Sequence, residues 1–226
     1  LLKSGKDSRI GGAGNVARNI LAMGAKAHLA TVIGNDISGK YLEQLLEEKG
    51  IGAGAVITEH ARTTTVKTRI IKGTEHMLRV DEETTEPISG DSIQKLKSEI
   101  VKLLDSHQID VIIIEDYDKG VMSEEFARFL IDLAASRNIP TTVDPKLDNF
   151  HSYKGVDLFK PNLKELREGL GLEVNPNLND SLESAVEKLH QVLTPKMSLT
   201  TLGAGGMSAK SNRPSDLFDA ACLRSP

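Results

Sequence analysis

The chain has 226 residues, 39% of them hydrophobic and 27% charged, with a formal net charge of −4. That is enough apolar material for one large globular domain, and too acidic a balance for a broad nucleic-acid surface. No apolar run approaches the roughly 20 residues that span a bilayer. Cys222 is the only cysteine, which excludes a disulfide framework or a cysteine zinc cluster and suits a reducing cytoplasm. No signal-peptide pattern is present. The first residue is Leu1 rather than Met, and the expectation is that the natural N-terminus lies upstream.

In chain order, helical patterns are expected at Asn15–Met23, Ser38–Lys49, Asp91–His107, Glu124–Arg137, Leu163–Leu170 and Ser181–Val192. Between them, β-rich apolar runs predict strands at His28–Ile33, Ile109–Ile114, Ile139–Val143, Val156–Phe159 and Met197–Leu202. Ser123 followed by Glu124 and Glu125 is a helix start, and Gly50 a helix stop. Alternating strands and helices imply parallel pairing through crossover helices. The apolar run Ile109–Ile114 predicts a central strand buried on both faces. One stretch breaks the rhythm. TTTVKTRIIK over Thr63–Lys72 and MLRVD over Met77–Asp81 predict a β-hairpin turning at Lys72-Gly73-Thr74, with no helix between. It is either an ordinary edge hairpin or a small lid. Ser208–Pro226 shows neither strand nor helix period.

Ligands in open α/β sheets bind beyond the carboxyl ends of the strands. The residues found there are Glu115-Asp116-Tyr117-Asp118-Lys119-Gly120, Asp144-Pro145-Lys146, Lys160-Pro161-Asn162-Leu163-Lys164-Glu165 and Gly203-Ala204-Gly205-Gly206. A lone Asp after a strand is most often a helix cap. Four such ends together favour a site. Lysines and glycines near helix starts suit phosphate, and carboxylates beside them suit Mg²⁺ held through water and phosphate oxygens. Phosphoryl transfer needs both, because its catalysis is mostly positioning and charge neutralisation.

Gly11-Gly12-Ala13-Gly14-Asn15 has two readings. Gly12–Ala17 fits the G-x-G-x-x-A dinucleotide pattern, with Asp36 near the acidic position that follows. That pattern must follow a buried strand, and KSGKDSR over Lys3–Arg9 is too polar to be one. The other reading is a glycine turn that opens a helix, lets a ligand approach the main chain, and offers Asn15 as donor and acceptor to hydroxyls. No Walker P-loop and no protein-kinase His-Arg-Asp loop is present.

The order of these motifs resembles the ribokinase-like (PfkB) carbohydrate kinases. Arg9–Ala17 is similar to their N-terminal signature, Asn162-Leu163-Lys164-Glu165 to their Asn-x-x-Glu motif, and Thr201–Gly206 to their Thr-x-Gly-x-x-Gly segment. The resemblance runs from about Ser8 to Met207. It implies an α/β fold, a three-layer sandwich with a parallel central sheet and a small β lid, in one kinase domain over residues 1–226. The lid would comprise about 1–10 and 63–82, and the core 11–62 and 83–226. It implies ATP with Mg²⁺ as cofactors. Asn162, Glu165, Thr201, Gly203 and Gly206 would contact ATP, with Glu165 reaching the metal indirectly through water. Gly11, Gly12, Asn15, Asp116, Lys119 and Lys146 would hold the sugar. Glu115–Gly120, Asp144–Lys146, Asp148, Phe150, Tyr153 and Leu78–Asp81 are most similar to the D-glycero-D-manno-heptose 7-phosphate kinases. That subgroup makes heptose 1,7-bisphosphate for bacterial surface sugars. Lysines suit a substrate that already carries a phosphate.

Two departures stand out. The family's Gly-Ala-Gly-Asp motif, whose Asp is the catalytic base, has no counterpart, so the catalytic residue is unassigned. The family's opening strand would precede Leu1. Both gaps fit a piece of a longer protein. The resemblance also implies a cytoplasmic enzyme, a homodimer paired through the lid, and no membrane or nucleic-acid partner. The alternatives are another sugar kinase (for ribose, fructose or a similar sugar), a dinucleotide-binding oxidoreductase, and a non-catalytic ligand-binding protein on the same fold.

Overall fold

A computed structural model describes residues 5, 7–175 and 178–212. The chain divides into two compact units, Leu1–Gln108 with Lys119–Val121, and Ile109–Asp118 with Met122–Pro226.

In the first unit, helix α1 (Gly12–Ala22) leads to strand β1 (His28–Gly34), helix α2 (Ile37–Glu48) and strand β2 (Gly52–Glu59). β1 and β2 pair in parallel, as expected of strands joined by a crossover helix. Ile10, Ala17, Leu29, Leu46 and Ile51 form the core of this α/β segment. The start of α2 is set by Asp36, whose carboxylate accepts from Gly39 N–H at 2.7 Å. Its second oxygen takes Thr64 N–H at 2.8 Å, so the acidic position of the dinucleotide pattern is used in capping. β2 was not expected from the sequence. Gly52 and Gly54 dilute its β-propensity, and pairing with β1 overrides that weakness.

The hairpin forms as expected. Strands β3 (Val66–Lys72) and β4 (Glu75–Glu82) pair antiparallel as a sheet of their own. Ile70 stands opposite Leu78 and Thr68 opposite Val80, and Ile70, Leu78 and Val80 are all exposed. Helix α3 (Gly90–Ser106) follows, capped by Ser89, which accepts from Ser92 N–H.

The second unit is a five-stranded sheet in the order β5 (Ile112–Glu115), β6 (Thr141–Asp144), β7 (Leu158–Phe159), β8 (Met197–Thr201) and β9 (Met207–Ser211). β5 to β8 are parallel, and β9 runs antiparallel to β8. The sheet is therefore mixed, not purely parallel, and the expectation of no strand after residue 207 was wrong. Met207–Ser211 is short and polar in sequence, and it becomes a strand by pairing with β8. β5 also differs from its expectation. It stands at the end of the strand order, and of its residues only Ile114 is buried. Residues 213–226 of the tail lie outside the described residues.

Helix α4 (Glu124–Ser136) is capped by Ser123, which accepts from Phe126 N–H. Helix α5 (Leu163–Leu170) matches its expected bounds, and helix α6 (Asn179–Leu193) follows. Phe126, Leu130, Val143, Phe150, Phe159, Leu166 and Leu189 are buried here, with Phe150 and Phe159 edge to face at 5.0 Å.

His190 of α6 ties β8 and the end of β9 to the helix. Its Nδ1 lies 2.9 Å from Asn212 Oδ1 and its Nε2 2.9 Å from Ser198 Oγ. Burial lowers its pKa below the ordinary value of 6.5. A folded-state pKa below the unfolded one means that the unfolded chain takes the proton first as pH falls. The stability is therefore intact above about pH 6.5 and is lost progressively below it. The expected result is a midpoint for urea unfolding that drops between pH 7 and 5, and drops less in His190→Gln. An equal slope in both proteins would refute the assignment.

Candidate active site

The parallel register brings the strand ends of the second unit into line. Glu115 pairs with Asp144 across β5 and β6, Val143 with Phe159 across β6 and β7, and Asn162 bridges to Thr201 beyond β7 and β8. The motifs expected after each strand are thereby collected on one sheet edge. Thr201 N–H donates to Pro161 C=O at 3.0 Å, which joins the segments that carry the two motifs assigned to ATP.

α5 starts in a reciprocal cap. Asn162 Oδ1 accepts from Glu165 N–H at 2.9 Å, and Glu165 Oε2 accepts from Asn162 N–H at 2.8 Å. The motif Asn-x-x-Glu is thus a capping box, which leaves the other oxygen of the buried Glu165 for Lys146 Nζ. Lys160 pairs with Asp144 at 2.8 Å. Both lysine side chains keep 35% of their surface exposed, so an incoming anion can share them. Burial works against the charge of Lys146, yet the bond to Glu165 outweighs it and its pKa is raised. Glu115 is raised by burial and then by the Asp144 charge beside it, and Tyr117 by burial and then by Glu115.

Asp116 is the most enclosed carboxylate of the edge, with 2% exposure. Its Oδ2 accepts from Tyr153 O–H at 2.6 Å and Asn149 Nδ2 at 3.1 Å, and its Oδ1 from Asp118 N–H at 2.9 Å. Burial, followed by the Asp116 charge, raises both Tyr153 and Asp118. Gly203–Gly205 form a short 3-10 turn after β8, with Gly203 and Gly206 at positive φ.

Among the described residues no group of three or more His, Cys, Asp or Glu side chains is arranged to hold a metal ion. Both oxygens of Glu165 are engaged. The residues present do not make a direct magnesium cage, which leaves Glu165 only a water-mediated approach to the ion.

The remaining expected residues lie in the first unit. Gly11 is the N-cap of α1, in extended conformation, and Gly12, at φ 54°, opens the helix. Gly11–Asn15 is therefore not a free turn before a helix but its first turn, with Asn15 N–H on Gly11 C=O at 3.3 Å. The Asn15 residue is exposed. Residues 7–10, which lead into α1, are not in a strand. Lys119 donates to Glu83 at 2.7 Å, and its carbonyl accepts from Arg62. Sequence reasoning placed Asp144 and Lys160 at the strand ends without giving either a role in the site, and it did not name Arg62. The role of the first two becomes visible once the strand register is known, because they flank the selected residues at the same edge. Arg62 follows the unexpected strand β2 and left no signal.

The fold is of the α/β sandwich type, and its strand ends gather paired lysines and carboxylates at one sheet edge. Residues 6–219 match the pfkB family carbohydrate kinases, and the chain belongs to that family. It is 34% identical over 202 residues to the bifunctional protein HldE of Campylobacter curvus, covering 88% of this chain and 42% of that protein. It is also 34% identical over 209 residues to HldE of Helicobacter pylori strain J99, covering 92% and 44%. The chain thus spans less than half the length of these relatives. Phosphofructokinase-2 from Escherichia coli, solved with fructose-6-phosphate, superposes with a TM-score of 0.75 at 19% identity, over 96% of this chain and 68% of that one. That likeness establishes the ribokinase-like fold. Among the described residues no helix is long and apolar enough to cross a membrane.

Proposed function

We propose that this chain is the kinase domain of a cytoplasmic enzyme that transfers the γ-phosphoryl group of ATP to the anomeric hydroxyl of D-glycero-D-manno-heptose 7-phosphate, giving the 1,7-bisphosphate. Family membership supports the kinase reading, and similarity to HldE proteins across nine-tenths of the chain supports the substrate. The observation that carries the nucleotide half is the Asn162–Glu165 capping box bridged to Thr201, which holds both ATP motifs at one edge.

In this reading Asn162, Glu165, Thr201, Gly203 and Gly206 position the nucleotide. Mg²⁺ would neutralise phosphate charge from a water-mediated place near Glu165. Lys146, paired with Glu165 and one-third exposed, exchanges part of that pairing for phosphate oxygens. Gly11, Gly12, Asn15 and Asp116 orient the sugar hydroxyls, and Lys119 meets the substrate's own phosphate. The hydroxyl proton passes to a carboxylate that the motifs of this chain do not supply. Residues 63–82 act as the lid, excluding water from the reacting groups; of the other expected lid segment, residues 1–4 and 6 lie outside the described residues. The exposed apolar face of the hairpin, at Ile70, Leu78 and Val80, supports pairing of two copies through the lid; a monomer in sedimentation velocity at working concentration would end that part of the proposal.

The test is turnover by the full-length protein with ATP and a sugar panel. Heptose 7-phosphate is expected to react fastest. Faster reaction with ribose or fructose would defeat the substrate assignment, and no phosphorylation of any sugar would defeat the kinase assignment.

A further inference from the structure

Arg62 is the only arginine among the described buried polar and charged residues, at 9% exposure. A buried guanidinium needs partners for its donors. Here they are two main-chain carbonyls remote in sequence. One terminal nitrogen donates to Glu86 C=O at 3.2 Å and the other to Lys119 C=O. Glu59 is the acidic group whose charge acts on it.

The two carbonyls belong to segments that are locked together by further contacts. Gly120 C=O accepts from Ile88 N–H at 2.9 Å. Gly120 is at φ 72°, and a methyl group built there would overlap Glu86 C=O, so only glycine lets the strands of main chain approach this closely. Lys119 Nζ donates to Glu83 Oε1 at 2.7 Å, while the other oxygen of Glu83 takes Lys67 of β3 at 2.9 Å. Lys119–Val121 is packed as part of the first unit although its sequence neighbours belong to the second. The guanidinium thus sits behind the main chain of a lysine whose ammonium is tied, through Glu83, to the base of the hairpin.

We propose that Arg62 is a positioning residue for substrate binding. It clamps the main chain of Lys119 to Glu86 and so fixes the Lys119 ammonium at the hairpin base, where it meets the phosphate of the sugar. The proposal rests on the functional reading above for the substrate, and on the geometry of the first unit alone for the clamp. A planar fork suits this task, because its two terminal nitrogens address the two carbonyls separately, whereas a lysine offers a single, more flexible ammonium.

The test uses Arg62→Lys in the full-length protein, with two readouts. The first is hydrogen exchange at the Ile88 amide, which needs no substrate. It is expected to quicken at least about tenfold while the amides of β1 and β2 stay unchanged. Unchanged exchange at Ile88 overturns the clamp. The second is a kinetic cycle with Lys119→Ala. Arg62→Lys alone is expected to raise KM for the sugar phosphate about tenfold, with kcat and KM for ATP within about twofold. In the Lys119→Ala background the same substitution adds no more than about twofold. An equal rise in both backgrounds shows that Arg62 does not act through Lys119 and overturns the assignment. If the wild-type protein phosphorylates no sugar, the functional reading fails, and exchange at Ile88 decides the clamp by itself.

Discussion

Asp116→Ala is expected to be the most damaging single change in the second unit. The carboxylate is 2% exposed and accepts from Tyr153 O–H, Asn149 Nδ2 and Asp118 N–H. Alanine would leave three enclosed donors without an acceptor and open a small cavity. Each orphaned donor costs about 1–3 kcal/mol, less whatever relaxation and water recover. A total of about 4 kcal/mol is expected, which for a chain of this size lowers Tm by roughly 10 °C. Asp116→Asn separates folding from function. It keeps the shape and one acceptor, so its loss of stability should be less than half as large. In the proposed kinase the charge is what orients the sugar hydroxyls, so kcat/KM for the sugar should still fall about 10- to 100-fold. Thermal melts and steady-state kinetics on the two variants decide the matter. An alanine variant within about 1 kcal/mol of the wild type would show that the cage contributes little.

The second large effect is expected at Lys146. Glu165 is buried, and Lys146 is the cation on its Oε1. Lys146→Met leaves a buried carboxylate with Asn162 N–H as its remaining partner in the pair. Breaking a buried pair by removing one member costs about 3–5 kcal/mol. The lower end, about 3 kcal/mol, is expected because the Lys146 side chain is already one-third exposed. The double variant Lys146→Met with Glu165→Gln removes the stranded charge and should return to within about 1 kcal/mol of wild type. Turnover should stay depressed by about 100-fold or more in both, since the proposed transfer needs a cation at this edge. Recovery of activity in the double variant would show that Lys146 serves folding alone.

The elements were legible where a short stretch of chain decides them. α5 starts at Leu163 because Asn162 and Glu165 cap each other across three residues, and Ser123 starts α4 in the same local way. The hairpin was readable because two β-rich runs meet at Gly73 without room for a helix. β2 and β9 were not, because their strand state comes from the neighbour they pair with rather than from their own composition. β5 was read as central from its apolar run, yet a run of Ile does not say which position in the sheet the strand takes. The glycine motif at Gly11–Asn15 was misread in detail for a related reason. Gly and Asn signal a break in helix propensity, while the observed helix begins inside the motif.

The sequence by itself determined the class of the protein, through the order of its strand ends and the residue types placed there. It determined which residues cap helices, because a cap is a contact between positions three apart. Which charges meet was decided only by the tertiary structure. Lys146 finds Glu165 across 19 residues, Asp116 finds Tyr153 across 37, and Arg62 finds the carbonyl of Lys119 across 57. Those partners depend on the parallel register of β5 to β8 and on the packing of Lys119–Val121. The main-chain geometry of any single segment leaves both open.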